Sequence, residues 1–386
     1  MTADRRTLLA IFSLAFGLRM LFAAVLGSNP EIVPVHETYD FQIAARMARD
    51  FSWITTPFSP NAPGYLILLA AAFRVAGASW WTSVVLNSFL GGLTALFLYR
   101  IGERRIGRGA GLVAALWLGL SVRHMSAASD PMRDVTTTFL LAWLIYAMVL
   151  PFRRMRDALT LAILFTLLIS TEPVFIVLLP VLLVYLGRYS THHRELSVQY
   201  LFLFVATLLF INIPWTIRNY VVHRDVVPVS LETSRYTAPL ARLLRDEPPP
   251  VDTAPGVAVV HAPGFVHNSI EFWRAVRVRD APADPVHGLV AEPAWSLRHN
   301  LAGILTYGLL LPFALVGTVL AVKRRHRATL IMAGTIVSYA VVRGFTGGDD
   351  RARLVVEPLL ILVAVYGARA LLAARHAPGD PTIPAV

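Results

Sequence analysis

The chain has 386 residues, of which 56% are hydrophobic and only 15% charged, and it carries a formal net charge of +11 with no cysteine. A soluble domain carries about 25% charged residues, so the composition excludes an ordinary soluble fold, and the missing thiols exclude disulfides and thiolate metal sites. Nor does the basic excess form a nucleic-acid surface, because the cations fall in short clusters between apolar runs, the topology signal of membrane proteins.

A bilayer core asks for about 20 apolar residues per helical span. Windows of that kind predict spans near 8–26, 82–100, 109–123, 134–151, 157–170, 174–187, 199–216, 301–322, 328–342 and 354–374. The expected fold is therefore an all-α polytopic membrane bundle of about ten transmembrane helices, forming a single domain over residues 1–386. The first stretch resembles a signal segment, but Arg19 interrupts it and the small-residue cleavage pattern is poor, so it reads as an uncleaved span. The pair around 157–187 is broken by Glu172-Pro173, which predicts a tight turn at a membrane face. Residues 64–73 are apolar but too short to span, and predict a re-entrant or interfacial helix.

Alternation across those spans puts Arg5/Arg6, Arg100/Arg104/Arg105/Arg108, Arg153/Arg154/Arg156, Arg188/Arg194, Lys323/Arg324/Arg325/Arg327 and Arg375 on one face. By the positive-inside bias that face is cytoplasmic, with both termini inside. The segments 27–81, 124–133, 217–300 and 343–353 then lie outside, with the turn at Glu172. They hold Glu37, Asp40, Asp50, Asp130, Glu172, Asp349 and Asp350, with Asp134 at their edge. Carboxylates do not set topology, so this is a separate signal, and acids at a membrane face are costly to desolvate and often functional.

The first external segment, 27–81, contains Val35-His36-Glu37-Thr38-Tyr39-Asp40-Phe41-Gln42-Ile43-Ala44-Ala45-Arg46-Met47. Apolar residues at 43, 44 and 47 have helical spacing, which predicts an amphipathic surface helix. Glu37 and Asp40 are three apart and share a face. Beside an apolar boundary one such carboxylate can have the raised pKa that a general base needs. The local alternative is a solvated helix start, with Glu37 favouring the positive end.

Further along stand Asn61-Ala62-Pro63-Gly64-Tyr65, then Pro214-Trp215-Thr216-Ile217-Arg218-Asn219-Tyr220 with Val227-Pro228-Val229-Ser230, and finally Arg351-Ala352-Arg353-Leu354-Val355-Val356-Glu357-Pro358. In this order they resemble the bacterial relatives of dolichyl-phosphate-mannose protein mannosyltransferases. That group of GT-C-fold membrane glycosyltransferases includes the lipid A aminoarabinose transferases. The resemblance covers roughly residues 5–375, and Pro-Trp-x-x-Arg-Asn is its most specific element.

It implies a GT-C-like bundle that moves a sugar from a polyprenyl-phosphate carrier to a lipid, glycan or protein acceptor on the extracytoplasmic face of the plasma membrane. The family's first external loop carries an acidic residue or pair ahead of a Tyr. Aligned on Ile43-Ala44, that pair falls on His36-Glu37 and the Tyr on Asp40. Glu37 is then the expected base, with Asp40 as the second catalytic candidate, and a carboxylate-pair metal site loses its first acid. No cofactor is indicated. Arg218, Arg351 and Arg353 are the expected donor-phosphate ligands, since a guanidinium fork fits phosphate oxygens. The alternative for each is an interfacial anchor that snorkels to the headgroups.

Arg123, His124, Asp130, Arg133 and Asp134 form a second charged loop, at a position that in the family lines the site near the acceptor. Helix capping by Asp130, with Pro131 at the first helical position, is the competing expectation. Arg19, inside the first span, reads as functional or as paired with a buried acid. Asp349-Asp350 beside Gly347-Gly348 reads as a turn rather than a metal site. The 217–300 segment is too long for a mere connection and predicts an external subdomain over the site. Rival classes are a polyprenyl-lipid transporter or flippase, disfavoured by the absence of an internal repeat, and a catalytically degenerate GT-C-like binding protein, suggested by His36.

Overall fold

Long apolar runs in a membrane must satisfy their own backbone, so they become helices. A computed structural model describes residues 3–27, 39–50, 62–150, 154–189, 194–223, 265–273, 304–346 and 352–376, and helix is the only regular structure among them. The helices are α1 (Ala3–Gly27), α2 (Tyr39–Arg49), α3 (Pro63–Ala76), α4 (Trp80–Arg105), α5 (Arg108–Leu120), α6 (Val122–Ser129), α7 (Asp134–Val149), α8 (Met155–Thr171), α9 (Leu179–Tyr189), α10 (Arg194–His223), α11 (Phe265–Trp273), α12 (Leu309–Lys323), α13 (Arg327–Thr346) and α14 (Glu357–His376). The described part of each predicted span is mainly helical, with the chain extended at Ser121 inside the third. By length and composition five helices can each cross a membrane, and a sixth crossing arises if α5 and α6, bent by 52°, count as one.

Local chemistry accounts for the boundaries. Pro63 opens α3 in the first turn, where its missing N–H costs nothing. Ser79 caps α4, its Oγ accepting from the Thr82 amide at 3.1 Å. At Ser121 the backbone turns extended, and the chain bends from α5 into α6 there. Pro173 follows the last residue of the Glu172 junction, ending α8 and starting a short 3₁₀ turn, as the sequence predicts.

Lipid supplies no hydrophobic drive between helices, so close packing relies on small residues. Gly317 of α12 and Gly367 of α14 sit so close that a Cβ on either would strike the other helix's backbone, and Gly102 of α4 and Gly111 of α5 repeat the arrangement. α14 is buried continuously from Leu359 to Ala364 and forms the centre of the bundle. α10 lies at the periphery, on α8 and α9, with Phe202 and Phe210 exposed.

Two ends of the bundle differ chemically. At one, Arg100 pairs with Asp4 at 2.8 Å, and the His326 ring meets the Arg105 carbonyl at 3.1 Å. These contacts gather several of the predicted basic clusters. At the other end lie the starts of α4, α7 and α14, the last turn of α13 and the Glu172 junction.

The predicted amphipathic helix is α2. It buries Phe41, Ile43, Ala44, Ala45 and Met47 against Tyr65, Leu66, Leu69, Ala70 and Phe73 of α3. Its apolar face is therefore satisfied by protein. α3 in turn rests on α8, where a Cβ at Gly64 would meet Thr171 and the Ser170 carbonyl.

Candidate active site

The stretch from Val122 to Asp134 organises the acidic end, because it contributes to three separate clusters. In the first, Glu357 begins α14 and is almost wholly buried, with its Oε2 3.9 Å from the Nε2 of buried His124. Arg123 and Arg353 both act electrostatically on this carboxylate. Arg353 itself is 1% exposed; it donates to the Phe272 carbonyl of α11 at 2.9 Å and stacks over the Tyr307 ring at 3.4 Å. The Arg-x-Arg…Glu-Pro element thus folds so that its second Arg and its Glu converge on the Arg123-His124 pair.

In the second cluster, Glu172 is 2% exposed and is held from two sides. Arg133 Nε approaches Oε2 at 3.2 Å, and an Arg343 terminal nitrogen donates to Oε1 at 2.9 Å. Arg343 Nε also donates to the Tyr339 hydroxyl at 3.1 Å. Three chain segments are joined by one carboxylate.

The third cluster surrounds Tyr65 on α3, which is too short to span. Burial pushes its phenol above the ordinary value, the Asn87 side chain opposes this, and Asp40, Asp134 and Asp130 add to the rise electrostatically. Asn87 also donates to the Asp130 carbonyl at 2.8 Å, and Trp80 donates to the Ser129 carbonyl at 2.8 Å. Asp40, in the first turn of α2, is thereby brought into one electrostatic neighbourhood with the second charged loop.

The sequence candidates are distributed unevenly. Asp40, Arg123, His124, Asp130, Arg133 and Arg353 all lie in these clusters. Glu37, His36, Arg351 and Asp349-Asp350 fall outside the described residues, as does most of 217–300 apart from α11 and the end of α10. Arg218 sits on α10, over the Trp215 ring at 5.1 Å and donating to Asn219 Oδ1 at 3.0 Å. α10 packs on α8 and α9, whereas the turn bearing Arg353 packs on α7, α11 and α14. Asp130 does not cap the next helix, which begins at Asp134, beyond Pro131. Among the described residues no three His, Asp or Glu side chains are placed to hold a metal.

Tyr65, Tyr307 and Arg343 were not among the sequence candidates. Arg343 carried a usable signal as a lone cation at the end of an apolar run, and Tyr65 closes the Asn61-Ala62-Pro63-Gly64-Tyr65 element that carries the resemblance. Tyr307 looks like ordinary core in the sequence.

A family model described as dolichyl-phosphate-mannose-protein mannosyltransferase matches residues 60–217. A comparison with curated proteins gives no sequence match. Among solved structures, the archaeal oligosaccharyltransferase AglB from Archaeoglobus fulgidus, in complex with an inhibitory peptide and a dolichol-phosphate, superimposes with a TM-score of 0.58 at 12% identity, covering 99% of this chain and 53% of that one. ArnT from Cupriavidus metallidurans, bound to undecaprenyl phosphate, gives 0.54 at 16% identity, covering 88% of this chain and 55% of that one. The chain thus spans little more than half the length of either. These likenesses, with the helical bundle described above, make this a polytopic membrane protein of the GT-C fold, resembling the protein mannosyltransferases and ArnT.

Proposed function

We propose that the protein is a glycosyltransferase that takes a sugar from a polyprenyl-phosphate carrier and transfers it to an acceptor on the extracytoplasmic side of the membrane. The observation that carries the proposal is that the same end of a GT-C bundle holds two charged clusters, Asp40, Asp130 and Asp134 around Tyr65 and the Arg123 and Arg353 guanidiniums beside Glu357. A carboxylate of the first external segment, Glu37 or its neighbour Asp40, accepts the proton of the acceptor nucleophile. The nucleophile attacks the anomeric carbon with inversion, and the bond to the carrier phosphate breaks. Fixed cations in a water-poor site stabilise the charge that develops on the leaving phosphate. Arg218, Arg351 and Arg353 are the proposed phosphate ligands, and Arg123, His124, Asp130 and Arg133 line the acceptor side.

That AglB was solved with a dolichol-phosphate and ArnT with undecaprenyl phosphate supports a polyprenyl-phosphate donor here. The positive-inside pattern supports cytoplasmic termini and an outward-facing site in the plasma membrane.

The test is turnover of a labelled polyprenyl-phosphate sugar by the purified protein. Release of polyprenyl phosphate is expected, reduced strongly by Arg353→Ala and unaffected by Arg325→Ala at the basic end. A protein that binds the lipid and releases nothing would point to the degenerate binding protein instead.

A further inference from the structure

Arg19 is an intramembrane cation that is 1% exposed. Its terminal nitrogens donate to the Ala15 carbonyl at 2.8 Å and to the Leu118 carbonyl at 3.4 Å, just ahead of the α5–α6 bend. No carboxylate among the described residues pairs with it. Its third nitrogen, Nε, is buried with no hydrogen-bond partner in the protein, and so is His124 Nε2. Both residues line one small cavity between α1, α4, α5, α6 and α7, together with Gly91, Thr94, Leu118, Val135 and Thr138. The cavity has room for about one water molecule.

The polar lining decides the occupant. Thr94 commits its hydroxyl hydrogen to the Leu90 carbonyl at 2.8 Å, and Thr138 commits its own to the Asp134 carbonyl at 2.7 Å. Each threonine therefore has only oxygen lone pairs left to offer. The Arg19 Nε–H can only donate, and neutral His124 with its proton on Nε2 also donates. An anion would meet the threonine lone pairs, and a cation would meet the guanidinium. A molecule that accepts twice and donates twice satisfies all four groups, and buried waters typically make about three such bonds.

We propose that this cavity is an ordered-water site, in which one water accepts from Arg19 Nε and His124 Nε2 and donates to Thr94 Oγ1 and Thr138 Oγ1. It ties α1 to α6 through the same imidazole that faces Glu357. Gly91 keeps the place open, since a Cβ there would collide with the Arg19 side chain.

The test uses the detergent-purified full chain and needs no activity, so its outcome is separate from that of the proposed glycosyltransferase. A map that resolves ordered solvent should show one peak in hydrogen-bond range of Arg19 Nε and His124 Nε2, and bromide soaking should give no anomalous signal there. A cavity without density, or one that takes up bromide, overturns the proposal. Thr138→Val should lower the melting temperature by a few degrees, and Thr138→Ser should leave it near wild type. In an Arg19→Met background the Thr138→Val shift should fall to less than half, because the water that bonds to Thr138 has lost its Arg19 donor. Equal shifts in both backgrounds also overturn it. Should Arg19→Met give no folded protein, His124→Phe takes its place with the same requirement.

Discussion

Arg353 sits over the Tyr307 ring, 3.4 Å from guanidinium carbon to centroid, while it donates to the Phe272 carbonyl. The pair joins the turn before α14 to the turn at Ile304–Gly308 that leads into α12, and through the Phe272 carbonyl to α11, a piece of the long 217–300 segment. A desolvated cation–π contact contributes about 2 kcal/mol. Tyr307→Leu should therefore cost about that much, read as a lowered melting temperature in detergent, while Tyr307→Phe should be close to neutral. A loss as large in Tyr307→Phe as in Tyr307→Leu would mean that the hydroxyl, not the ring face, holds Arg353.

Glu172 provides the clearest stability experiment. Removing one partner from a buried ion pair typically costs about 3–5 kcal/mol, because a charge is left without compensation. Glu172→Gln leaves Arg133 and Arg343 facing a neutral amide, so a large drop in melting temperature is expected. Asp4→Asn, which breaks the more exposed pair with Arg100, should cost less than about 1 kcal/mol. Similar losses in the two variants would show that Glu172 is not the tie between α7, α8 and α13.

The choice of base can be decided kinetically. Losing a general base costs about a hundred- to ten-thousand-fold in rate. Glu37→Gln should show a loss of that size with donor binding retained, and Asp40→Asn a smaller one. The reverse ranking, measured as turnover of labelled donor, would assign the base to Asp40. Its link to Tyr65, Asp130 and Asp134 would then be part of the catalytic apparatus.

His326 predicts a pH dependence at the opposite end. It lies between the spans of α12 and α13, its Nδ1 2.7 Å from Thr329 Oγ1 and its ring stacked on Tyr366 at 4.7 Å. Burial holds its pKa below the ordinary value; the bond to the Arg105 carbonyl opposes this and the Arg105 charge reinforces it. The unfolded chain binds this proton near about pH 6.5. Below that pH the unfolded state holds more protons, so stability falls as pH drops from about 6.5 toward the folded pKa, and is fully present above it. Melting temperatures from pH 8 to pH 5 should fall for the wild type and flatten for His326→Gln. Parallel curves would remove His326 as the cause.

Much of the architecture is legible in the chain because bilayer chemistry leaves few options. A long apolar run satisfies its own backbone as a helix, and the described part of each predicted span is mainly helical. The amphipathic spacing at Ile43, Ala44 and Met47 likewise gives the buried face of α2. What periodicity left open is what that face meets. It packs on α3 rather than lying bare on a surface, since Phe41 and Phe73 are brought to 4.9 Å. The expected cap at Asp130 fails for a similar reason. The Asn87 side chain takes the Asp130 carbonyl, and the helix starts beyond Pro131.

By itself the sequence determined the membrane class, the positions of the apolar helices, the break at Glu172-Pro173, and the likeness carried by the Pro-Trp-x-x-Arg-Asn and Arg-x-Arg…Glu-Pro elements. All of these depend on neighbours along the chain or on transfer into lipid. Only the tertiary structure decided that Arg353 and Glu357 meet Arg123 and His124, that Glu172 is gripped by Arg133 and Arg343, and that Asp40 shares its surroundings with Asp130 and Asp134. Such pairings join residues far apart in the chain. They form because a charge carried into a low-dielectric interior must find a partner, and which partner is within reach is set by how the helices pack.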